Sequence, residues 1–160
     1  MLRRTKIVDL LKSETTKSEV LAKGWVRTRR DAKDFSFIEI NDGSCLKNLQ
    51  VIAQNNLPNY NEIKSLSTGS SIAVRGALVE SQGGNQKYEL VAADIEIYSL
   101  APEDFPIQKK KHTDEYLRTI AHLRPRANKY AAAFRVRSAL SYAIHKFFQE
   151  RGFKYVHTPI

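Results

Sequence analysis

From residue 18 onward, apolar and polar positions alternate in five runs, at roughly 18–31, 35–41, 46–54, 70–80 and 86–99. A period of two is the mark of half-buried β-strands. The second run is the clearest. Ser36, Ile38 and Ile40 fall on one side, and Phe35, Phe37 and Glu39 on the other. The isoleucines mark the core, so two phenylalanines share the wetter side with a carboxylate. Asn41-Asp42-Gly43-Ser44 is a turn signal between the second and third runs, and Gly83-Gly84-Asn85 closes a hairpin between the fourth and fifth. Residues 58–66 read as a helix after the third strand. Residues 5–12 read as a short helix with Ile7, Leu10 and Leu11 on its buried side.

Five strands with a helix after the third is the order of an oligonucleotide-binding (OB-fold) barrel. Another small β-barrel or sandwich is the competing arrangement. On an OB-fold barrel, nucleic acid lies across strands two and three and against two flanking loops, here Ala32–Asp34 and Ser81–Lys87. The phenylalanines beside Arg27, Arg29 and Arg30 suit stacking of unpaired bases between phosphate contacts. A second apolar layer would use the same rings. The three arginines alternate faces, so all three reach RNA only if a bulge intervenes. Trp25 is expected in the core rather than as a platform.

Beyond residue 100 the pattern changes. Pro102 and Pro106 bracket an acidic–aromatic patch followed by Lys109-Lys110-Lys111-His112. Residues 101–112 therefore read as a linker, with the lysines either solvated or touching phosphate. From Thr113 the period becomes helical. Thr113 is a candidate N-cap with Asp114 and Glu115 in the first turn, and this helix stops before Pro125. Asn128 caps a longer helix that ends at Arg151 and Gly152. Phe153–Thr158 reads as a strand beginning. A strand cut off so early has no sheet to join, so the chain is expected to be a fragment.

Composition adds three constraints. The 42% hydrophobic content supports a real core. The net charge of +9 is uneven: residues 1–100 hold 14 Lys and Arg against 12 Asp and Glu, whereas residues 101–160 hold 12 against 5. Such a surplus favours a polyanionic partner, most often nucleic acid. Cys45 is the single cysteine, which excludes an internal disulfide or thiolate zinc site and fits a reducing cytosol. No apolar run approaches the ~20 residues of a membrane span, so no membrane partner is expected. The histidines lack metal-ligand spacing.

Gly24-Trp25-Val26, Arg29-Arg30-Asp31, Phe37-Ile38, Asn41-Asp42-Gly43 and Gln50-Val51 together resemble the anticodon-binding domain of aspartyl- and asparaginyl-tRNA synthetases. The segment from Gln108 through Leu123-Arg124-Pro125-Arg126 to Asn128 is similar to the asparaginyl branch. Arg135–Arg137, Phe147-Phe148, Gly152-Phe153 and Val156–Pro159 resemble motif 1 of class II synthetases. The resemblance implies a mainly β OB-fold domain (1–100), a linker (101–112) and the helical start of an α+β catalytic domain (113–160, motif 1 at about 134–160). The parent enzyme would attach asparagine to tRNA using ATP and Mg2+, in the cytoplasm, as a homodimer through motif 1. Phe134, Phe148 and Pro159 would then face a second subunit.

In such enzymes the residues matching Phe37 and Gln50 engage the middle anticodon base, uridine. The aromatic stacks on it, the amide bonds its edge, and the residue matching Arg30 lies close by. Phe35 and Arg29 complete the expected anticodon set. Motifs 2 and 3, which grip ATP, have no match here. The segment itself is thus expected to hold no catalytic residue, cofactor or metal. Two rivals stand beside this reading: an aspartyl enzyme, whose anticodons share the first two bases, and a freestanding OB-fold module for single-stranded nucleic acid.

Overall fold

The alternating runs become five strands: β1 (Lys17–Asp31), β2 (Phe35–Asn41), β3 (Leu49–Gln54), β4 (Ser71–Glu80) and β5 (Tyr88–Ser99). The computed structural model describes residues 2–84 and 86–159, so Asn85 of the expected hairpin turn lies outside the described residues. The strands close into a barrel in the order β1-β2-β3-β5-β4, with antiparallel neighbours except for the parallel β3–β5 pair. Helix α1 (Ile7–Leu11) precedes the barrel, and α2 (Tyr60–Ile63) sits in the crossover between β3 and β4. This is the topology of the OB fold.

Alternation sets the core. Ser36, Ile38 and Ile40 of β2 are fully buried, with Leu49, Val51 and Ala53 of β3 beside them. Each fully buried aliphatic side chain contributes about 1.5–3 kcal/mol. The two short helices add to the same core. Ile7 and Leu10 of α1 and Ile63 of α2 are 0% exposed. Ser36, polar among isoleucines, bonds Asp31 Oδ1 at 2.7 Å and the Tyr60 hydroxyl at 2.9 Å. Gly76 is fixed by a close approach: a Cβ there would stand 2.0 Å from the Val91 carbonyl oxygen, at the irregularity where β4 meets β5.

Several boundaries differ from the sequence reading. β3 begins at Leu49 rather than 46, because the Asn41 side-chain amide donates to the Cys45 and Lys47 carbonyls and holds residues 42–48 in a turn. α2 is a single turn rather than 58–66. Trp25 is 40% exposed rather than in the core, since Val26 takes the inward position and puts its neighbour outside. Residues 101–112 belong to the barrel's unit, which ends at His112. Ala101 donates to Ser70 Oγ, the Phe105 ring fills the space over Gly69, and Ile107 is buried.

The second unit runs from Thr113. Thr113 does cap α3 (Asp114–Thr119), accepting from the Tyr116 N–H. That helix stops early, at Thr119, whose hydroxyl donates to the Tyr116 carbonyl. A 3₁₀ turn, Arg124–Arg126, follows with Pro125 inside it. α4 (Asn128–Glu150) has Ala127, not Asn128, at its N-cap. Its other end matches expectation. Gly152 takes φ +84°, its N–H reaches the Gln149 carbonyl, the Phe153 N–H reaches Phe148, and the two phenylalanine rings meet at 5.4 Å. These are the bonds and apolar contact of a Schellman cap. Residues 153–159 form no strand, since a strand needs a neighbour for its N–H and C=O groups and none pairs with them.

Candidate nucleic-acid interface

Outward-facing residues of β2, β3 and β5 form two adjacent rows across the barrel. In one, the register carries Arg30 to Phe37, Phe37 to Ile52, and Ile52 to Val91. In the other, Glu39 lies opposite Gln50, and Gln50 lies beside Glu89. The first row is a cation followed by an apolar strip. The second is polar throughout. Both line a cleft of about 940 Å³, walled by Ser81–Gly83 and Gln86 of the β4–β5 loop and by Leu46–Asn48 of the β2–β3 turn.

The Arg30 guanidinium carbon stands 5.0 Å from the Phe37 ring centroid. Phe35 meets Phe37 edge to face at 4.9 Å and stiffens it. Gln50 donates from Nε2 to Glu89 Oε2 at 3.1 Å, and the same oxygen accepts from Ser81 Oγ at 3.1 Å. Glu89 is only 5% exposed. The Gln86 amide nitrogen is buried with no hydrogen-bond partner among the described residues. An apolar platform with amides and a carboxylate alongside can stack a base and bond its edge.

Four of the five expected site residues gather here: Arg30, Phe35, Phe37 and Gln50. Arg29 does not. A bulge between Val26 and Thr28 shifts the β1 register, so Arg29 lies opposite buried Ile38 while Arg30 joins Phe37. Arg29 instead donates to the Ile63 carbonyl at 3.3 Å and pairs with Asp31 at 3.4 Å. The loop Ala32–Asp34 lines no part of the cleft, whereas the β4–β5 loop does. Glu89 was not singled out from the sequence, although a lone carboxylate in the apolar run Tyr88–Ala92 was a usable signal. Leu11, expected on the buried side, also reaches the cleft wall.

The turn wall is tied to α1 through Asp42. Its carboxylate accepts from the Ile7 N–H at 3.1 Å, the Ser44 N–H at 2.9 Å and Arg4 at 3.0 Å. Burial by itself would raise this carboxyl, but the bonds from Ser44, Ile7 and Arg4 outweigh it and hold Asp42 below its ordinary 3.8. Among the described residues, no cluster of His, Cys, Asp and Glu could hold a metal ion.

In sequence, the chain is 55% identical over 99% of its length to an asparagine–tRNA ligase of Oleidesulfovibrio alaskensis, and 62% identical over 89% of its length to one of Acetivibrio thermocellus. Over nearly its whole length the chain is thus similar to part of these asparagine–tRNA ligases. It spans only about a third of the length of these relatives, 35% and 31% respectively. Residues 20–98 match the OB-fold nucleic acid binding domain family, tRNA_anti-codon, and contain all five strands but the ends of β1 and β5. The fold matches the crystal structure of asparaginyl-tRNA synthetase from Pyrococcus horikoshii, with a TM-score of 0.87 at 24% identity, covering 100% of this chain and 38% of that one. An aspartyl-tRNA synthetase from Entamoeba histolytica also matches, at TM-score 0.78 and 19% identity, over 99% of this chain and 39% of that one. Fold alone therefore does not separate the two branches, and the sequence identity does.

The expected motif 1 residues lie in the second unit. Phe134 is ringed by Tyr130 at 6.0 Å and Arg124 at 5.6 Å. Phe148 contacts Phe147 and Phe153, and Pro159 follows in irregular chain.

Proposed function

We propose that residues 1–100 bind the tRNA-Asn anticodon in the cleft, with Arg30, Phe37 and Gln50 around the middle base and Phe35 supporting Phe37. The observation that carries this reading is the pair of rows. One presents a cation and an apolar strip; the other, adjacent to it, presents amide and carboxylate groups. Stacking is tolerant of sequence, so selection falls to the polar row. Arg29 is left out of the contact set, because its guanidinium is engaged at Ile63 and Asp31.

Residues 113–160 are read as the start of the catalytic domain of a parent enzyme that activates asparagine with ATP and Mg2+ and passes it to tRNA. In that parent, Phe134, Phe148 and Pro159 face a second subunit. α4 supports this, since none of its residues is buried, and Val136, Leu140, Ile144 and Phe147 repeat at helical spacing in the open. A cytoplasmic site accords with the lone Cys45, and no helix among the described residues is long and apolar enough to cross a membrane.

The test is equilibrium binding of the 160-residue chain to anticodon stem-loops carrying GUU, GUC and GCU, at one fixed salt concentration. A preference for GUU over both others is expected. Equal binding to GUU and GUC, with GCU weak, would leave the middle-base reading and remove the asparaginyl preference. Equal binding to all three would reduce the cleft to a charge-driven binder.

A further inference from the structure

We propose that Glu89 is a positioning residue that fixes which way round the Gln50 amide sits, so that the cleft selects bases carrying an imino N–H. The proposal rests on the reading of the cleft as a base pocket. The two ends of a glutamine amide are nearly the same size, and an unconstrained one can turn over to present either its carbonyl or its NH2. Gln50 is constrained. Its neighbour on β5 is Glu89, whose Oε2 takes the Gln50 Nε2 at 3.1 Å; its opposite residue on β2 is Glu39. A carboxylate only accepts. The Glu39 carboxylate is taken up by Asn48 Nδ2 at 2.9 Å, so Glu89 alone holds the NH2 end of Gln50 and leaves its carbonyl end over. That carbonyl oxygen takes no hydrogen bond among the described residues.

Glu89 is itself held. It is 5% exposed, and Ser81 Oγ donates to the same carboxylate oxygen at 3.1 Å. An acceptor held in place beside the Phe37–Ile52 platform needs a donor on the base that stacks there. Uracil offers N3–H and guanine N1–H at the centre of the pairing edge. Cytosine and adenine put a lone pair at that point, facing acceptor to acceptor. A base of the second kind loses the bond and leaves both groups unpaired. Stacking on the platform accepts either kind, so discrimination depends on how the amide is turned.

The test uses the full chain and anticodon stem-loops with GUU, with GCU, and with N3-methyluridine as the middle base, which keeps the ring and removes the imino proton. Wild type is expected to prefer GUU over both. In Glu89→Gln, an isosteric change whose own amide can donate to Gln50, the preference for GUU over GCU should fall roughly tenfold, the cost of one lost hydrogen bond to a base edge. The penalty for N3-methylation should shrink with it. Equal weakening of Glu89→Gln toward all three RNAs, with ratios unchanged, would make Glu89 structural only and overturn the proposal. A wild type blind to the middle base would instead overturn the anticodon reading beneath it, and the proposal with it. Should Glu89→Gln fail to fold, the Gln50 side-chain amide of the wild type decides by NMR. One slowly exchanging Nε2 proton is expected, and two that exchange as fast as a free amide's overturn the proposal.

Discussion

The Arg30 guanidinium stands 5.0 Å from the Phe37 ring, in the cleft proposed to take the anticodon. Its neighbour Arg29 has the same charge and a different task, bonding the end of α2 at Ile63. Arg30→Ala should therefore weaken stem-loop binding and flatten its salt dependence, whereas Arg29→Ala should lower thermal stability and leave RNA affinity near wild type. Fluorescence anisotropy at two salt concentrations and a melting curve separate them. The reverse pattern would place the wrong arginine in the cleft. Phe37→Ala should cost about 1–3 kcal/mol of stem-loop binding, the range for one base–aromatic stack. An unchanged Kd would remove Phe37 as a platform.

At the level of elements, α1 is five residues long, too short to stand without tertiary support. Asp42 and Ser44 supply it, taking the Ile7 and Val8 N–H groups across 35 and 36 residues of sequence. Asp42→Ala strands the Ile7 N–H, so unfolding stability should fall by about 1–3 kcal/mol. The pH dependence has a definite sign. The folded Asp42 titrates below its ordinary 3.8, so its contribution is present above that value and is lost as pH falls through the lower folded one. Melting temperatures of wild type and Asp42→Asn should converge as pH is lowered below 3.8. A gap that stays constant across that range would show that Asp42 charge is not what docks α1. Because the same turn presents Leu46–Asn48 to the cleft, loss of the dock should also loosen RNA binding.

For the whole molecule, the barrel unit and the unit from Thr113 differ in how well they bury their apolar groups. The barrel has a continuous core, while α4 leaves Val136 at 68% and Tyr142 at 70% exposure. Exposed stripes of this kind associate. The full chain should show concentration-dependent mass in sedimentation, and a version ending at His112 should run as a monomer with its GUU affinity largely retained. A monodisperse full chain would argue against α4 as an interface. A truncated form that loses RNA binding would mean the second unit contributes contacts of its own.

Much of this was legible in the residues themselves. Strict alternation in Phe35–Asn41 fixed the inward isoleucines and outward phenylalanines, because in a strand the side chain's face depends on nothing but parity. Gly152 and the phenylalanines around it marked a helix end through local backbone chemistry alone. Parity failed where a distant contact altered it. The β1 bulge moved Arg30 onto the wet face and took Arg29 off it, and Thr68, 41 residues away, bonds the Arg27 carbonyl at that point. Trp25 was misplaced by its hydrophobicity, which says nothing of which side of a strand it occupies. Glu89 gained its place beside Gln50 only through the parallel β3–β5 pairing, a contact between strands that are not neighbours in sequence. Local pattern thus determined which residues could form a base platform. Closure of the barrel decided which of them meet, because register between strands is set by packing across the core and not by the order of residues within any one strand.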